Sequence, residues 1–172
     1  TVLFFSAGSG SAGVYRFDYT NNTWVRHGNL GFPAQTTYVF AGYDSVRHKH
    51  VISHGTQGVW LYDATTGAAP NAGTWTQVAN TPAAVRNVTQ SLAYDSTNRV
   101  IVFAVADAAD DLQLYALNQN GNWSQLTPAG TKPNGANSAR GNMLIYSPSD
   151  NQFYYLNVAG VGASGTGGLP DA

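Results

Sequence analysis

The sequence carries three copies of one short pattern: Thr23-Trp24-Val25-Arg26, Thr74-Trp75-Thr76-Gln77 and Asn122-Trp123-Ser124-Gln125. In each copy a tryptophan follows a polar turn and opens a strand-like run, and the tryptophans are 51 and 48 residues apart. A second marker is a tyrosine before a polar turn, at Tyr43, Tyr94 and Tyr146. Its intervals are 51 and 52 residues. Two unrelated markers that share one period indicate a repeat architecture such as a β-propeller.

Composition excludes several functional classes. Charged residues make up 10% of the 172 residues, the net charge is −1, and the eight Lys and Arg are scattered, so no nucleic-acid footprint is present. No run reaches the ~18 apolar residues of a membrane-spanning helix. The absence of cysteine excludes disulfides, thiolate metal sites and cysteine nucleophiles. Few charges together with many Thr, Asn, Ser and Gly favour a secreted or extracellular protein.

Period-two alternation between turn residues predicts short strands and almost no helix. The predicted strands are residues 2–6, 14–19, 23–27, 37–43, 50–54, 59–63, 74–78, 88–94, 100–105, 112–117, 122–126, 141–146 and 152–158. They predict a partial propeller over residues 1–158, with blades of about 1–35, 36–86, 87–137 and 138–158, followed by a flexible Gly-rich tail at 159–172. Propellers close with four to eight blades, so we expect further blades or a second chain to complete the ring, as part of a larger propeller or assembly.

Two segments resemble the first hairpin of Kelch-type repeats, residues 42–55 and 93–103, each built around a Tyr-Asp-Ser turn. Residues 59–63 with 74–75, and 112–115 with 122–123, resemble the second hairpin of that family. The Gly-Gly that usually ends its second strand is replaced here, for example by His54-Gly55. The relation is therefore divergent and reaches towards galactose-oxidase-like propellers. The resemblance implies a β-propeller fold of four-stranded antiparallel blades, but not the copper cofactor of galactose oxidase, which requires a cysteine-crosslinked tyrosine.

Catalytic and metal-binding interpretations find little support in the sequence. His48, His50 and His54 share one parity, as metal ligands on one strand face would; alternatively, His48 belongs to the turn and only the other two lie on the strand. The acidic loop with Asp107, Asp110 and Asp111 fits no regular calcium-binding spacing, and we interpret it as a solvated loop. A sialidase-like site would need clustered arginines and an Asp-box, and the latter is absent. We predict no metal and no cofactor.

The remaining hypothesis is ligand binding. The loops that join strands two and three and strands four and one of each blade share one propeller face, and these loops vary most between repeats. We assign the repeat tryptophans to packing between blades, whereas Trp60 stands outside their spacing and replaces Tyr15 or Gln113. The candidate binding residues are His54, Gln57, Trp60, Asp107 and Asp110. We expect a non-catalytic extracellular module that binds protein or carbohydrate; the alternative is a fragment of a propeller enzyme, an oxidase or a glycoside-active protein, with its catalytic residues outside this chain.

Overall fold

The computed structural model of the chain describes residues 3–6, 13–30, 39–54, 57–69, 71–85, 89–106, 111–130 and 143–156, with the backbone alone at 4–6, 39, 54, 89, 90 and 106. These residues form only strands, turns and loops, which confirms the all-β class. The strands are β1 (Leu3–Ser6), β2 (Gly13–Asp18), β3 (Thr23–Gly28), β4 (Val39–Asp44), β5 (Lys49–His54), β6 (Gly58–Asp63), β7 (Thr74–Ala79), β8 (Thr89–Asp95), β9 (Val100–Ala106), β10 (Leu112–Asn118), β11 (Trp123–Leu126), β12 (Met143–Ser147) and β13 (Gln152–Leu156). Every strand lies within two residues of its predicted bounds.

The strands form four antiparallel sheets in two compact units. Unit 1 (Thr1–Asn80) contains sheet 1, with the order β1-β2-β3, and sheet 2, with the order β4-β5-β6-β7. Unit 2 (Thr81–Ala172) contains sheet 3, formed by β8 to β11 in sequence order, and sheet 4, formed by β12 and β13. Each sheet is a simple meander. In the described part of the chain two sheets therefore have four strands, and the sheets at either end have three and two.

Aspartates set the geometry of the hairpin turns. Both oxygens of the Asp44 carboxylate are used: Oδ1 accepts hydrogen bonds from the backbone amides of Val46 (3.0 Å) and Arg47 (2.9 Å), and Oδ2 forms an ion pair with the Arg47 guanidinium. Four hairpins share a four-residue turn whose last residue has a positive φ of 51–58°: Asn22, His48, Arg99 and Asn151. Two of these turns, after Asp18 and Asp95, repeat the carboxylate-to-amide bonds of Asp44. Self-capping by Asp explains why the polar turn recurs with the repeat.

Each sheet has a face that carries the repeat aromatic residues, here called its tryptophan face, and an opposite reverse face. Cross-strand partners project to the same face, so the face can be read from the register. In sheet 2 the defining row is Tyr43, His50, Tyr62 and Trp75. In sheet 3 it is Tyr94, Ile101, Leu117 and Trp123. In sheets 1 and 4 it is Phe17 with Trp24 and Tyr146 with Phe153, respectively.

The core of unit 1 lies between its two sheets. Val14 from the reverse face of sheet 1 packs with Ile52 and Tyr62 on the tryptophan face of sheet 2, and all three side chains are fully buried. Trp75 joins this cluster, packs against Tyr62 with ring centroids 4.6 Å apart and ring planes inclined by 44°, and donates its Nε1–H to the Asn29 carbonyl at 2.8 Å. Trp75 therefore packs between sheets 1 and 2.

The loop at residues 64–73 fastens sheet 2 to the end of β3. The Ala72 amide donates to the His27 carbonyl at 2.9 Å, and the Ala72 carbonyl accepts the Tyr62 hydroxyl at 2.9 Å. Burial raises the pKa of Tyr62 to about 12, so this hydroxyl keeps its proton and acts as a donor. Gly28 lies against the same carbonyl, where a Cβ would come within 2.2 Å of the Ala72 oxygen. The contact therefore requires glycine at position 28.

The core of unit 2 repeats this arrangement. Leu144, on the tryptophan face of sheet 4, packs into a cluster with Ala93, Val102 and Ala104 on the reverse face of sheet 3. The Leu144 amide also donates to the Ser91 hydroxyl at 2.9 Å. In both units the reverse face of the earlier sheet therefore covers the tryptophan face of the next.

Candidate functional site

The structure describes two of the five predicted binding residues with their side chains. Gln57 and Trp60 lie together at the β5–β6 turn, where the Gln57 carbonyl accepts the indole N–H of Trp60 (2.9 Å) and the amide N–H of Gln77 (3.2 Å). His54 lies on β5 with its backbone alone described, and Asp107 and Asp110 lie outside the described residues. The binding role of these five residues stays a prediction, and so does the binding role of the loop face.

The register corrects the position assigned to Trp60. Trp60 pairs with Ile52 in sheet 2, and the equivalent pair in sheet 3 is Tyr115 with Phe103. Its counterpart is therefore Tyr115 and not Gln113, and sheets 1, 2 and 3 each carry an aromatic residue at this position. The half-buried Trp60 ring packs against the unit 1 core. An aromatic residue at this position is part of the repeat.

A cavity of about 660 Å³ lies between sheets 1 and 2 of unit 1. Its volume is within the ~300–1,000 Å³ typical of small-molecule sites. Six segments contribute to it: β2, β3, β4, the β4–β5 turn, β5 and the loop after β6. The lining residues are Arg16, His27, Tyr43, His48, His50, Ala64 and Thr65. Four of these seven carry an imidazole or a guanidinium group.

The hairpin of β4 and β5 places an aromatic ring and two imidazoles at the cavity. Tyr43 and His50 are cross-strand partners with ring centroids 5.1 Å apart, and the Tyr43 side chain is 48% exposed. His48 ends the turn in a left-handed conformation, and its Nδ1 lies 3.4 Å from the Tyr43 hydroxyl. Because β5 begins at Lys49, the alternative that placed His48 in the turn is correct. His50 is therefore the strand histidine of this group whose side chain lines the cavity.

His27 contributes the opposite wall from β3. It is 9% exposed, and its Nε2 lies 3.1 Å from the Ala64 carbonyl oxygen. A carbonyl oxygen can only accept a hydrogen bond, so this contact assigns the proton to Nε2. In the neutral ring Nδ1 is then an acceptor. The contact also fixes the orientation of the ring between β3 and the loop after β6.

The lining of the cavity is electropositive. The guanidinium of Arg16 is its permanent charge, and its other basic groups are three imidazoles. Burial lowers the pKa of His50, and the positive charge of His27 acts in the same direction. An anion in the cavity would therefore raise the pKa of His50, because its negative charge would oppose both effects.

The carboxylates nearest in sequence to the lining residues, Asp18, Asp44 and Asp63, accept hydrogen bonds within their own turns. Asp18, two residues from Arg16, accepts hydrogen bonds from the Thr20 and Asn21 amides, and bonds from Asn21 and Thr20 hold its pKa below the usual value. Asp63 accepts from the amide (2.9 Å) and hydroxyl (2.6 Å) of Thr65, and it lies 3.5 Å from the Lys49 ammonium. None of these three carboxylates is among the lining residues of the cavity. The charge of Arg16 also contributes to the lowered pKa of Asp18.

The sequence did not identify Arg16 and His27 as site residues. They approach His50 only because sheet 1 packs on sheet 2, and no local pattern encodes that contact. The alternation that placed His50 on the strand was the one sequence signal that pointed to the cavity.

Within the described ranges, no group of three or more His, Asp or Glu side chains is arranged to hold a metal ion. In the same ranges, no helix is long and apolar enough to cross a membrane. The comparisons with known proteins add no functional assignment: no family model, no curated protein and no solved structure matches the chain.

Proposed function

We propose that this chain is a non-catalytic, secreted binding module of divergent Kelch-like propeller blades, and that the cavity of unit 1 binds a carbohydrate bearing a carboxylate. The cavity lining is the observation that supports a carboxylate-bearing sugar as the ligand. It combines Arg16, three histidines and an exposed tyrosine ring, and it contains no carboxylate. This proposal narrows the predicted ligand from a protein or carbohydrate to an acidic carbohydrate. The site lies between two sheets and is distinct from the predicted set of loop residues.

Each group in the lining has a function with such a ligand. Arginine forms bidentate, charge-assisted hydrogen bonds with a carboxylate, and a neighbouring protonated imidazole adds a further donor. The half-exposed Tyr43 ring offers an apolar surface to the C–H face of a pyranose, while its hydroxyl and that of Thr65 can bond sugar hydroxyls. A mixed apolar and polar lining of this kind suits a sugar acid better than an inorganic anion.

The propeller assignment is supported by repetition within the chain. Four-stranded meanders recur in sheets 2 and 3, and the reverse face of one sheet covers the tryptophan face of the next in both units. Blade-on-blade stacking of antiparallel meanders is the arrangement from which propellers are built. The absence of a carboxylate among the cavity residues argues against an acid/base pair for glycoside hydrolysis at this position.

The test is isothermal titration calorimetry with a uronic-acid oligosaccharide and with its carboxyl-reduced, neutral counterpart. We expect binding of the acidic form only, and substantial weakening in Arg16→Gln. A hydrogen bond to a charged group contributes about 1.5–3 kcal/mol, so the loss should be roughly 10- to 150-fold in Kd.

Arg26→Gln is the matched control, because Arg26 is an exposed arginine one strand away that does not line the cavity. It should bind as the wild type does. Equal affinity for the acidic and neutral oligosaccharides, or equal weakening in both arginine variants, would rule out the proposed site.

A further inference from the structure

Two sheet faces in the described part of the chain expose large apolar side chains. One is the tryptophan face of sheet 1, where Trp24 is 52% exposed beside the half-buried Phe17. The other is the reverse face of sheet 4, where four side chains are between 42% and 52% exposed: Met143, Ile145, Tyr154 and Leu156. Cross-strand pairing of Met143 with Leu156 and of Ile145 with Tyr154 places these four on one surface. Contiguous exposed apolar surface of this kind commonly marks an interaction site.

The interior of each unit shows what covers such faces. In unit 1 the reverse face of sheet 1, through Val14, covers Ile52 and Tyr62 on the tryptophan face of sheet 2. In unit 2 the reverse face of sheet 3 covers Leu144, Tyr146 and Phe153 on sheet 4. The partner of a tryptophan face is a reverse face in both cases, with the same polarity along the chain.

The two exposed faces are of opposite kinds. Sheet 1 exposes a tryptophan face and sheet 4 exposes a reverse face, so one chain carries both halves of the contact that its units already use. Their charges also complement each other. Arg26 lies on the exposed face of sheet 1 as the cross-strand partner of Tyr15, and Asp150 lies beside sheet 4, where its carboxylate accepts the Tyr154 hydroxyl.

We infer that the chain associates head-to-tail with a second copy of itself, the reverse face of sheet 4 in one copy packing on the tryptophan face of sheet 1 in the next. Such a contact is heterologous, because different surfaces of the two copies meet. A heterologous contact produces a ring if its rotation closes and an open chain of copies if it does not. The association is independent of ligand binding in the cavity.

Sedimentation velocity at increasing protein concentration tests this inference with two variants. Trp24→Glu places a charge on the tryptophan face of sheet 1, and Ile145→Glu places one on the reverse face of sheet 4. We expect the wild type to form dimers and larger species, and each variant alone to remain a monomer. Val46→Glu is the matched control, since Val46 is a 40% exposed apolar residue in the β4–β5 turn, outside both faces. It should associate as the wild type does.

Mixing the two variants separates this geometry from the alternatives. Each variant retains the face that the other has lost, so the mixture should form dimers that grow no further. A symmetric contact through sheet 1 alone would leave Ile145→Glu dimerising by itself and would give no mixed dimers with Trp24→Glu, and this result would overturn the inference. A folded wild type that stays monomeric at every concentration would also overturn it, and would assign the two faces to other partners. Far-ultraviolet circular dichroism and melting curves verify that each variant is folded.

Discussion

Replacing Gly28 with alanine should strongly destabilise unit 1. The new methyl group would lie 2.2 Å from the Ala72 carbonyl oxygen and 2.8 Å from the Tyr62 hydroxyl oxygen. The closer atom belongs to the backbone of the 64–73 loop, so it cannot be displaced by a simple rotamer change. The loop must therefore move away from β3, and the alanine change acts on the contact that holds the two sheets of unit 1 together.

The magnitude follows from the bonds that this movement breaks. The amide of Ala72 would lose its 2.9 Å bond to the His27 carbonyl, and the buried Tyr62 hydroxyl would lose its 2.9 Å bond to the Ala72 carbonyl. Each hydrogen bond contributes about 0.5–1.5 kcal/mol, and a buried group left without a partner costs about 1–3 kcal/mol. We expect Gly28→Ala to lower the free energy of unfolding by about 2–4 kcal/mol.

Urea unfolding followed by tryptophan fluorescence measures this loss. Gly130→Ala is a control for backbone strain without a steric clash, because Gly130 has a φ of 99° but no atom within 4 Å of the position that a Cβ would take. This variant should lose only ~1 kcal/mol in its free energy of unfolding, the cost of an unfavourable backbone region. If Gly28→Ala unfolded at the same urea concentration as the wild type, the described contact between β3 and the 64–73 loop would be wrong.

Three further predictions concern stability. Trp75→Phe should lower the free energy of unfolding by about 0.5–1.5 kcal/mol through loss of the indole bond to Asn29, and by more than Trp24→Phe does, as measured by urea denaturation. Asp95→Ala should cost about 1–3 kcal/mol in the same assay, because the backbone amides of two turn residues lose their charged acceptor. The urea midpoint should fall in two steps as the pH is lowered. The first step begins near pH 6.5. Burial lowers the pKa of His50 in the folded state, so the His50 imidazole of the unfolded chain is protonated at a higher pH than that of the folded chain. His50→Gln should abolish this step. The second step lies below pH 3.8. Burial of Asp95 raises its pKa, but the hydrogen bonds that its carboxylate accepts outweigh this effect and lower the pKa, so protonation of Asp95 destabilises the folded state. Asp95→Asn should reduce this step.

The strands and turns could be predicted from the sequence because their causes are local. Alternation with period two is a property of six or seven consecutive residues, and an aspartate before a polar turn caps that turn with its own carboxylate. Asp44 and Asp95 therefore marked the ends of β4 and β8 correctly. The tryptophan and tyrosine markers share nearly one period, and this common spacing predicted the number of strands in each sheet.

The equivalence of Trp60 was misassigned because one loop changes the spacing. The turn between β10 and β11 has four residues, 119–122, whereas the loop between β6 and β7 has ten, 64–73. Asp63 and Asn118 are therefore 55 residues apart, but Trp75 and Trp123 are 48 apart. A single period cannot align both strands, and only the cross-strand register shows which residues correspond.

The cavity could not be predicted from the sequence, because it exists only where two sheets meet. Arg16 and His50 are 34 positions apart and belong to different sheets. Their approach depends on the 64–73 loop, which contacts β3 through backbone atoms and sets the spacing between sheets 1 and 2. Backbone contacts of this kind leave almost no signal in a single sequence beyond glycines such as Gly28.

The central claim is that the cavity of unit 1 accepts a carboxylate-bearing sugar. The most direct measurement is the titration of the His50 imidazole by nuclear magnetic resonance, with and without a uronic-acid oligosaccharide. A carboxylate bound beside Arg16 and His50 should raise the pKa of His50, and the neutral, carboxyl-reduced oligosaccharide should leave it unchanged. If the titration of His50 is the same with and without saturating acidic oligosaccharide, the ligand does not occupy the cavity and the claim fails.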